Sequence, residues 1–484
     1  MRKRRTIYFN DARHYYLFVF EPPMKLEDAW RPIDEVAGTA VDTFIYGANR
    51  GDGCFWPTKV GLRFGDDMKP FDHPAYWRVW HNMQSLMDRG LDPLTVLIDR
   101  AHDKGMEFIT SIRMGSLGGV DESYKLGNGG GWLAHSEVRD IQLRMFQELV
   151  NDYPLDGIEI DLAAGGGGPD LFRPGEVEQN VSVLTEHVRN ISEAARSRPG
   201  GPAVVGVRVF PVEAMNAKYG LDVQQWLKDG LVDYVAPLLY GYMTLDPDLP
   251  IEWLTKAAHE ADISVYPALM PYHDDTGSGA YHRVFPTPER VRAAAANYWD
   301  KGADGLYSWF MRWPLEDTER SILTEMGDPD LIAEQDKQYV VLKRSEHAAE
   351  IGYDAPLPIE IPSADPSKRY AIPFSVADDI EGKADRIKHV RLRINIIMVM
   401  GADRLSVLLN GQSLAGEQCT RDYGNPYGVY NAQWLEFELV GVRPRKGQNT
   451  LEISLDGRPE DMGGGITIDQ VHVEIEYGPY ASVL

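Results

Sequence analysis

The chain is poor in the residues that most often declare a function outright. Its 484 residues include two cysteines, Cys54 and Cys419, far apart in sequence. That argues against a disulfide framework and against a cysteine-built zinc site. The twelve histidines contain neither His-x-His nor His-Glu-x-x-His, so no metal or other cofactor is expected. No stretch approaches the roughly 20 consecutive apolar residues that span a bilayer. The longest early run, Tyr15 to Phe20, stops at Glu21 and Pro22-Pro23. Positive charge is scarce: 49 Lys and Arg face 73 Asp and Glu, for a formal net charge of −24. Binding to nucleic acid rests on clustered cations neutralising phosphates, so neither nucleic acid nor a membrane is an expected partner. The basic start, Met1 to Arg5, is not followed by the apolar stretch of roughly 7–15 residues that an export signal needs. As written the chain reads as cytoplasmic, or as secreted or periplasmic if a leader has been trimmed. The residues do not specify an oligomeric state.

A hydrophobic content of 43% and a charged content of 25% suit a globular protein, and the length suits two domains. Over the first 325 or so residues, short apolar segments alternate with amphipathic ones. Eight strand candidates stand out: Tyr16–Glu21, Val41–Tyr46, Met106–Arg113, Gly157–Leu162, Ala203–Phe210, Tyr234–Tyr240, Ser264–Met270 and Gly305–Phe310. Between them, Val138, Ile141, Met145 and Leu149 form one helical stripe, and Val181, Leu184, Val188 and Ile191 another. Eightfold strand–helix alternation predicts a (β/α)8 TIM barrel over residues 1–326. No Gly-x-Gly-x-x-Gly follows the first strand to favour a doubly wound sheet. Residues 327–340 read as a linker. From 341 to 484 the helical period disappears, and β-like runs separated by turns such as Asn410-Gly411 predict an antiparallel β-sandwich; the stretches Val407 to Gly411 and Lys446 to Leu451 resemble those of jelly-roll modules.

In a barrel of this kind the chemistry sits at the C-terminal ends of the strands. The fourth candidate ends Ile158-Glu159-Ile160-Asp161, so two carboxylates share one strand face about 6.6 Å apart while the isoleucines take the other. Glu159 and Asp161 are therefore the candidate catalytic residues. Arg113 and Arg208, at the ends of the flanking strands, are candidate partners for them and for substrate. An ion-paired cluster that merely stiffens this end of the sheet is the competing reading.

The stretch Asp156-Gly157-Ile158-Glu159-Ile160-Asp161 resembles the fourth-strand motif of glycoside hydrolase family 18. It is closer still to bacterial glycosyl hydrolase-like barrels related to families 10 and 18. Ser111-Ile112-Arg113-Met114, the run from Gly230 to Tyr240 and Gly305-Leu306-Tyr307-Ser308-Trp309 resemble their third, sixth and eighth strands. The resemblance implies a glycoside hydrolase, with Trp309 flooring the sugar site. One departure stands out: where family 18 places its acid glutamate this chain has Ala163, followed by Ala164 and Gly165 to Gly168. Substrate-assisted chitinase chemistry is therefore not implied. The proton must come from Glu159, Asp161 or another carboxylate, with Glu21, Asp274 and Asp275 in reserve.

Aromatic residues gather at the same strand ends and in the loops that follow: Tyr46, Trp56, Trp132, Tyr240, Tyr242, Tyr272, Trp309 and Trp313. Sugar rings stack on such faces, and Asn49, Arg50 and His273 are placed to hydrogen-bond hydroxyls. The expected substrate-binding set is Glu21, Tyr46, Asn49, Arg113, Arg208, Tyr240, His273 and Trp309, and the expected partner is an oligo- or polysaccharide. Two other functions fit the same residues. One is a polysaccharide lyase or epimerase acting on uronic acids, with an arginine neutralising the sugar carboxylate. The other is a catalytically silent carbohydrate-binding barrel. The sandwich either binds carbohydrate or only packs.

Overall fold

A computed structural model describes residues 3–11, 16–127, 130–164, 169–240, 243–274, 283–344, 346–422 and 432–478. Tyr242, Asp275 and the Gly165–Gly168 run lie outside the described residues. The chain divides into two compact units. The first comprises Met1–Met243, Pro250–Pro271 and Gly302–Gly327; the second comprises Thr244–Leu249, Tyr272–Lys301 and Asp328–Leu484.

The first unit is an α/β fold on a curled parallel sheet. Its strands run Thr6–Asp11, Thr43–Gly47, Glu107–Arg113, Gly157–Asp161, Val204–Val209, Tyr234–Pro237, Ser264–Val265, Ala268–Leu269 and Leu306–Ser308. The path through the sheet follows the chain from Thr6–Asp11 to Ser264–Val265 in one direction, and passes through Leu306–Ser308 to Ala268–Leu269 in the other. The two ends of the path are thus halves of one segment, interrupted at Tyr266-Pro267. Proline has no N–H to give to a ladder. Its carbonyl still accepts from Tyr307 N at 3.1 Å, while Tyr266 N donates to Val235 O at 2.9 Å. The expected eight regular strands are therefore a curled parallel sheet whose seventh strand is broken.

The first predicted strand needs correction. Tyr16–Val19 is a helix, and Thr6–Asp11 is the first strand. Thr6–Asp11 is buried throughout and pairs on both edges, with Thr43–Gly47 and with Leu306–Ser308. A polar start and end, Thr6 and Asn10-Asp11, made it look like a loop. The helix instead delivers the carbonyls of Leu17 and Phe20 to Nδ2 of the buried Asn82, at 3.1 and 2.7 Å.

The two striped helices form as the period predicts, at Ser136–Asp152 and Val177–Arg196, with Val138, Met145, Leu149, Leu184, Val188 and Ile191 buried. They also tie down the end of the third strand. His187 Nε2 donates to Gln142 Oε1 at 3.2 Å, and Gln142 Nε2 donates to the carbonyl of Met114 at 2.8 Å. Met114 follows Arg113, so this relay fixes the backbone from which that arginine projects.

In the second unit a six-stranded antiparallel sheet is centred on Ile466–Tyr477 and Ile387–Ile397, and a four-stranded one on Gly447–Gly457. Ile372, Ile453, Leu392, Ile394, Val471 and Val473 share one apolar core between them, which makes the region sandwich-like. Asn410 and Gly411, with φ of 52° and 78°, make the expected hairpin turn. Lys337–Val340, within the segment read as a linker, is a strand paired with Ile466–Tyr477. Among the described residues no helix is long and apolar enough to cross a membrane.

Burial pushes the His187 imidazole down to about 4. The unfolded chain takes up that proton near pH 6.5, so the unfolded state binds more protons below that pH. The contribution of neutral His187 is complete above about pH 6.5 and is lost as pH falls toward 4. His187→Gln should flatten the acid decline by about 2 kcal/mol between pH 7 and pH 5, read from urea unfolding midpoints. Parallel curves for the variant and the parent would remove His187 as the source.

Candidate active site

The register of the parallel sheet decides which side chains meet. Asp11, Gly47, Ser111, Glu159 and Gly206 lie side by side on successive strands, and Arg113, Asp161 and Arg208 form the next row toward the strand ends. Side chains alternate across a strand, so both rows face the same side of the sheet as Phe9. Two glycines in the lower row make room for rings. A Cβ on Gly206 would overlap the Tyr234 ring, and one on Gly47 would lie 2.7 Å from Cζ of Phe9.

Arg208 is the hub. It is fully buried, with Nη1 2.9 Å from Asp161 Oδ2 and Nε 2.7 Å from Glu159 Oε1. The second contact is an ion pair in distance only, because the Nε–H is not aligned on the oxygen. Nη2 donates to the Tyr307 hydroxyl. The guanidinium lies 3.9 Å from the centre of the Phe9 ring and 4.6 Å from that of Trp309. Burying such a charge costs several kcal/mol and is offset only by close partners of opposite sign. Burial works against the charged form of Arg208, and Glu159, Tyr307 and Asp161 outweigh it, so its pKa rises.

Glu159 accepts from the Tyr234 hydroxyl at 3.0 Å and from the Tyr307 hydroxyl at 3.2 Å. Burial pushes its carboxyl above the usual range; the Arg208 charge pulls it back, and neighbouring Asp161 pushes it up again. Burial also holds both phenols well above their ordinary pKa, so they act as O–H donors. Asp161, one row higher, accepts from the backbone N–H groups of Ala163 and Ala164 at 3.2 and 3.0 Å. The position where family 18 carries its acid thus supplies a backbone donor.

Arg113 lies between Asp161 and a carboxylate that the sequence reading missed. Its Nη2 donates to Asp11 Oδ2 at 2.7 Å, and its Nε is 3.7 Å from Asp161 Oδ2. Asp11 was hidden because its strand was; an Asp closing an apolar Ile7-Tyr8-Phe9 run was the available signal. Asn49 holds Arg113 by the backbone: Oδ1 accepts from Arg113 N at 2.7 Å, and Nδ2 donates to the carbonyls of Arg113 and Ser116.

The other expected binding residues are dispersed. Trp309 is buried against Phe9 at 4.4 Å, and its Nε1–H finds no hydrogen-bond partner among the described residues. Half-buried Tyr240 meets Trp309 edge-on at 5.9 Å, with the Arg113 guanidinium 6.0 Å from its ring. Tyr46 lies on the opposite face of the sheet, beside Phe108 at 6.2 Å. Glu21 is exposed and pairs with Arg78. His273 belongs to the second unit, where its Nδ1 accepts from Arg290 Nη1 at 2.8 Å. Trp56 is fully buried and donates to Glu148, and Trp132 donates to Glu176. Among the described residues no group of three or more His, Cys, Asp or Glu is arranged to hold a metal ion.

No family model matches the chain. It is similar to the glycosyl hydrolase YngK of Bacillus subtilis (strain 168), at 21% identity over 37% of this chain and 45% of that protein. The chain therefore spans less than half the length of this curated relative. Among solved structures, it is similar to α-L-fucosidase isoenzyme 2 from Paenibacillus thiaminolyticus, with 12% identity, 71% and 51% of the two chains covered, and a TM-score of 0.43. An α-L-fucosidase from Bacteroides thetaiotaomicron matches with 11% identity, coverage of 93% and 92%, and a TM-score of 0.39. A β-1,4-mannanase covers 67% of this chain and 99% of its own at 11% identity and a TM-score of 0.40. The likeness is to glycoside hydrolases of several families and not specifically to families 10 and 18. At these scores it identifies neither a site nor a substrate.

Removing the Arg208 charge leaves two buried carboxylates facing each other. Arg208→Met should cost about 3–5 kcal/mol at pH 7, as breaking a buried pair does. It should also raise the Glu159 pKa further. A raised carboxyl stabilises the fold below its unfolded pKa and loses that contribution as pH rises through the folded value. The variant should therefore regain stability as pH falls from 7 to 5. A variant whose unfolding midpoint matches the parent's at pH 7 would show that the cluster is not under this tension.

Proposed function

We propose that the chain is a glycoside hydrolase acting on an oligo- or polysaccharide, with its reaction centre at Asp161 and Glu159. The sheet in this reading closes as an eight-stranded barrel through the broken seventh strand, with the site at the C-terminal ends of the strands. The observation that carries the proposal is the arrangement on one sheet face of Asp161, Glu159, Arg208, Arg113 and the buried Trp309, whose indole N–H has no partner among the described residues. Structural ion pairs alone do not require an unpaired donor beside them. The partial similarity to a glycosyl hydrolase supports the same class.

Glycosidic cleavage needs one carboxylic acid to protonate the leaving oxygen and a second carboxylate as base or nucleophile, about 5 Å away in retaining enzymes and 6.5–9.5 Å in inverting ones. Asp161, buried at the end of the fourth strand, is in this reading the member nearer the substrate. Glu159, one row deeper and raised in pKa by burial, is the second member of the pair. Arg208 holds both and limits their mutual repulsion. Half-buried Tyr240 supplies aromatic surface, and the indole N–H of buried Trp309 is a donor left for a sugar oxygen.

A catalytically silent carbohydrate-binding protein is the second reading. It is favoured by one observation: Asp11, Glu159 and Asp161 each already pair with an arginine. Lyase or epimerase chemistry would fall to Arg113, because Arg208 is enclosed by its own carboxylates.

A panel of glycans assayed for reducing ends separates these readings. Asp161→Asn and Glu159→Gln should each lower turnover at least about 10²-fold, in line with loss of an acid–base group, with far-ultraviolet circular dichroism unchanged. Near-parent activity in both variants would place the reaction centre elsewhere. An unsaturated product absorbing in the ultraviolet would mark a lyase. Binding without any cleavage by the parent would support the silent reading.

A further inference from the structure

The second unit contains a cavity of about 70 Å³ that the proposed activity does not use. Among the described residues its polar lining consists of His472, His273, Arg290, Lys343, Gln470 and Thr244, without an Asp or Glu. A water needs roughly 10–15 Å³ by this kind of measure, so the space suits a small organic molecule or one end of a larger one.

The decisive group is His472. It is 3% exposed, and neither Nδ1 nor Nε2 has a hydrogen-bond partner among the described residues. Leaving a buried polar atom unpaired is costly, so two on one ring call for an explanation. Burial, with the charges of Arg290, Arg393 and His273, pushes this imidazole down to about 3. The ring is therefore neutral, presenting one N–H donor and one lone pair. Its place in the Ile466–Tyr477 strand sets it on the face opposite Val471 and Val473, which belong to the apolar core. Trp434 lies beside it, with ring centres 5.1 Å apart.

The remaining groups are mostly donors. Arg290 reaches Gln338 Oε1 through Nε at 2.6 Å and His273 Nδ1 through Nη1 at 2.8 Å. A guanidinium only donates, so His273 accepts on Nδ1 and carries its proton on Nε2. Lys343 brings an ammonium, with Asp469 at 2.6 Å behind it. Gln338 and Arg393 in turn donate to Glu474.

We propose that this cavity is a binding site for a small organic anion carrying a hydroxyl on the first or second carbon from its carboxylate. The carboxylate takes the donors of Arg290, Lys343 and the His472 N–H, and the hydroxyl donates to the remaining His472 nitrogen. An uronic acid residue at the non-reducing end of a glycan, through its C4 hydroxyl, and a free hydroxy acid both present this chemistry. The site is independent of the reaction centre proposed above, and nothing in it depends on Asp161 or Glu159.

Titration calorimetry of the full chain with sodium D-glucuronate, sodium lactate, sodium acetate and D-glucose tests the proposal. Glucuronate or lactate should bind saturably, at least tenfold more tightly than acetate, and glucose should not bind. Binding of glucuronate alone assigns the site to a sugar acid, and binding of both assigns it to hydroxy acids generally. His472→Phe should weaken binding at least tenfold without lowering the melting temperature, because it removes two unpaired buried atoms. Lys343→Met, a change at the cavity rim, should weaken it as well. No saturable binding of either hydroxy acid, equal binding of glucose, or affinity unchanged in both variants would overturn the proposal.

Discussion

A buried guanidinium that must be shared between two acids governs the first unit. Arg208 has no solvent to fall back on, so the residues around it are set by its needs. Glu159 and Asp161 must stand on one strand face, two residues apart, to reach Nε and Nη1. Tyr307 must bring its hydroxyl from the last strand, and Phe9 and Trp309 must cover the flat faces of the guanidinium. The adjoining row then loses a side chain at Gly206, because the Tyr234 ring crosses there to reach Glu159. A charge placed in a low-dielectric interior thus accounts for a glycine, two tyrosines and two aromatic covers that have no evident relation in sequence.

Parts of this were legible in the amino-acid order. The alternation Ile158, Glu159, Ile160, Asp161 is a period-two signal that leaves little choice of face, and the arginines on the neighbouring strands are the only cations in register with it. The helical stripes at 138–149 and 181–191 were equally plain. Thr6–Asp11 was not, because a parallel strand buried on both faces has no alternation to show, and its polar ends mimic a loop. Tyr16–Val19 erred in the other direction: β-prone aromatics form a helix whose following carbonyls are captured by Asn82, a partner more than sixty positions away. Tyr46 shows how thin the margin is. It stands one residue before Gly47, and that single step puts its ring on the helix-facing side rather than with Phe9.

Charge is handled differently in the two units. The chain as a whole is strongly acidic, at −24, and in the sheet-face cluster three carboxylates are met by two arginines. The cavity of the second unit has the opposite character, with cations and donors around it and no carboxylate in its lining. Polar groups in both places sit where burial makes their pairing matter, and in both at least one nitrogen, on Trp309 or His472, has no partner among the described residues.

The division of the chain has its own consequence. The second unit takes Thr244–Leu249 and Tyr272–Lys301 from within the stretch that builds the first, so the polypeptide passes from one unit to the other five times between Met243 and Asp328. A unit joined by a single hinge can be gained, lost or exchanged in one recombination event, as a cassette. This one cannot: a break after Gly327 would leave the helix Pro288–Asp300 and the buried Asp246 behind, without the Ser375 and Tyr353 groups that they bond. A single crossover there would cut the second unit away from parts of itself.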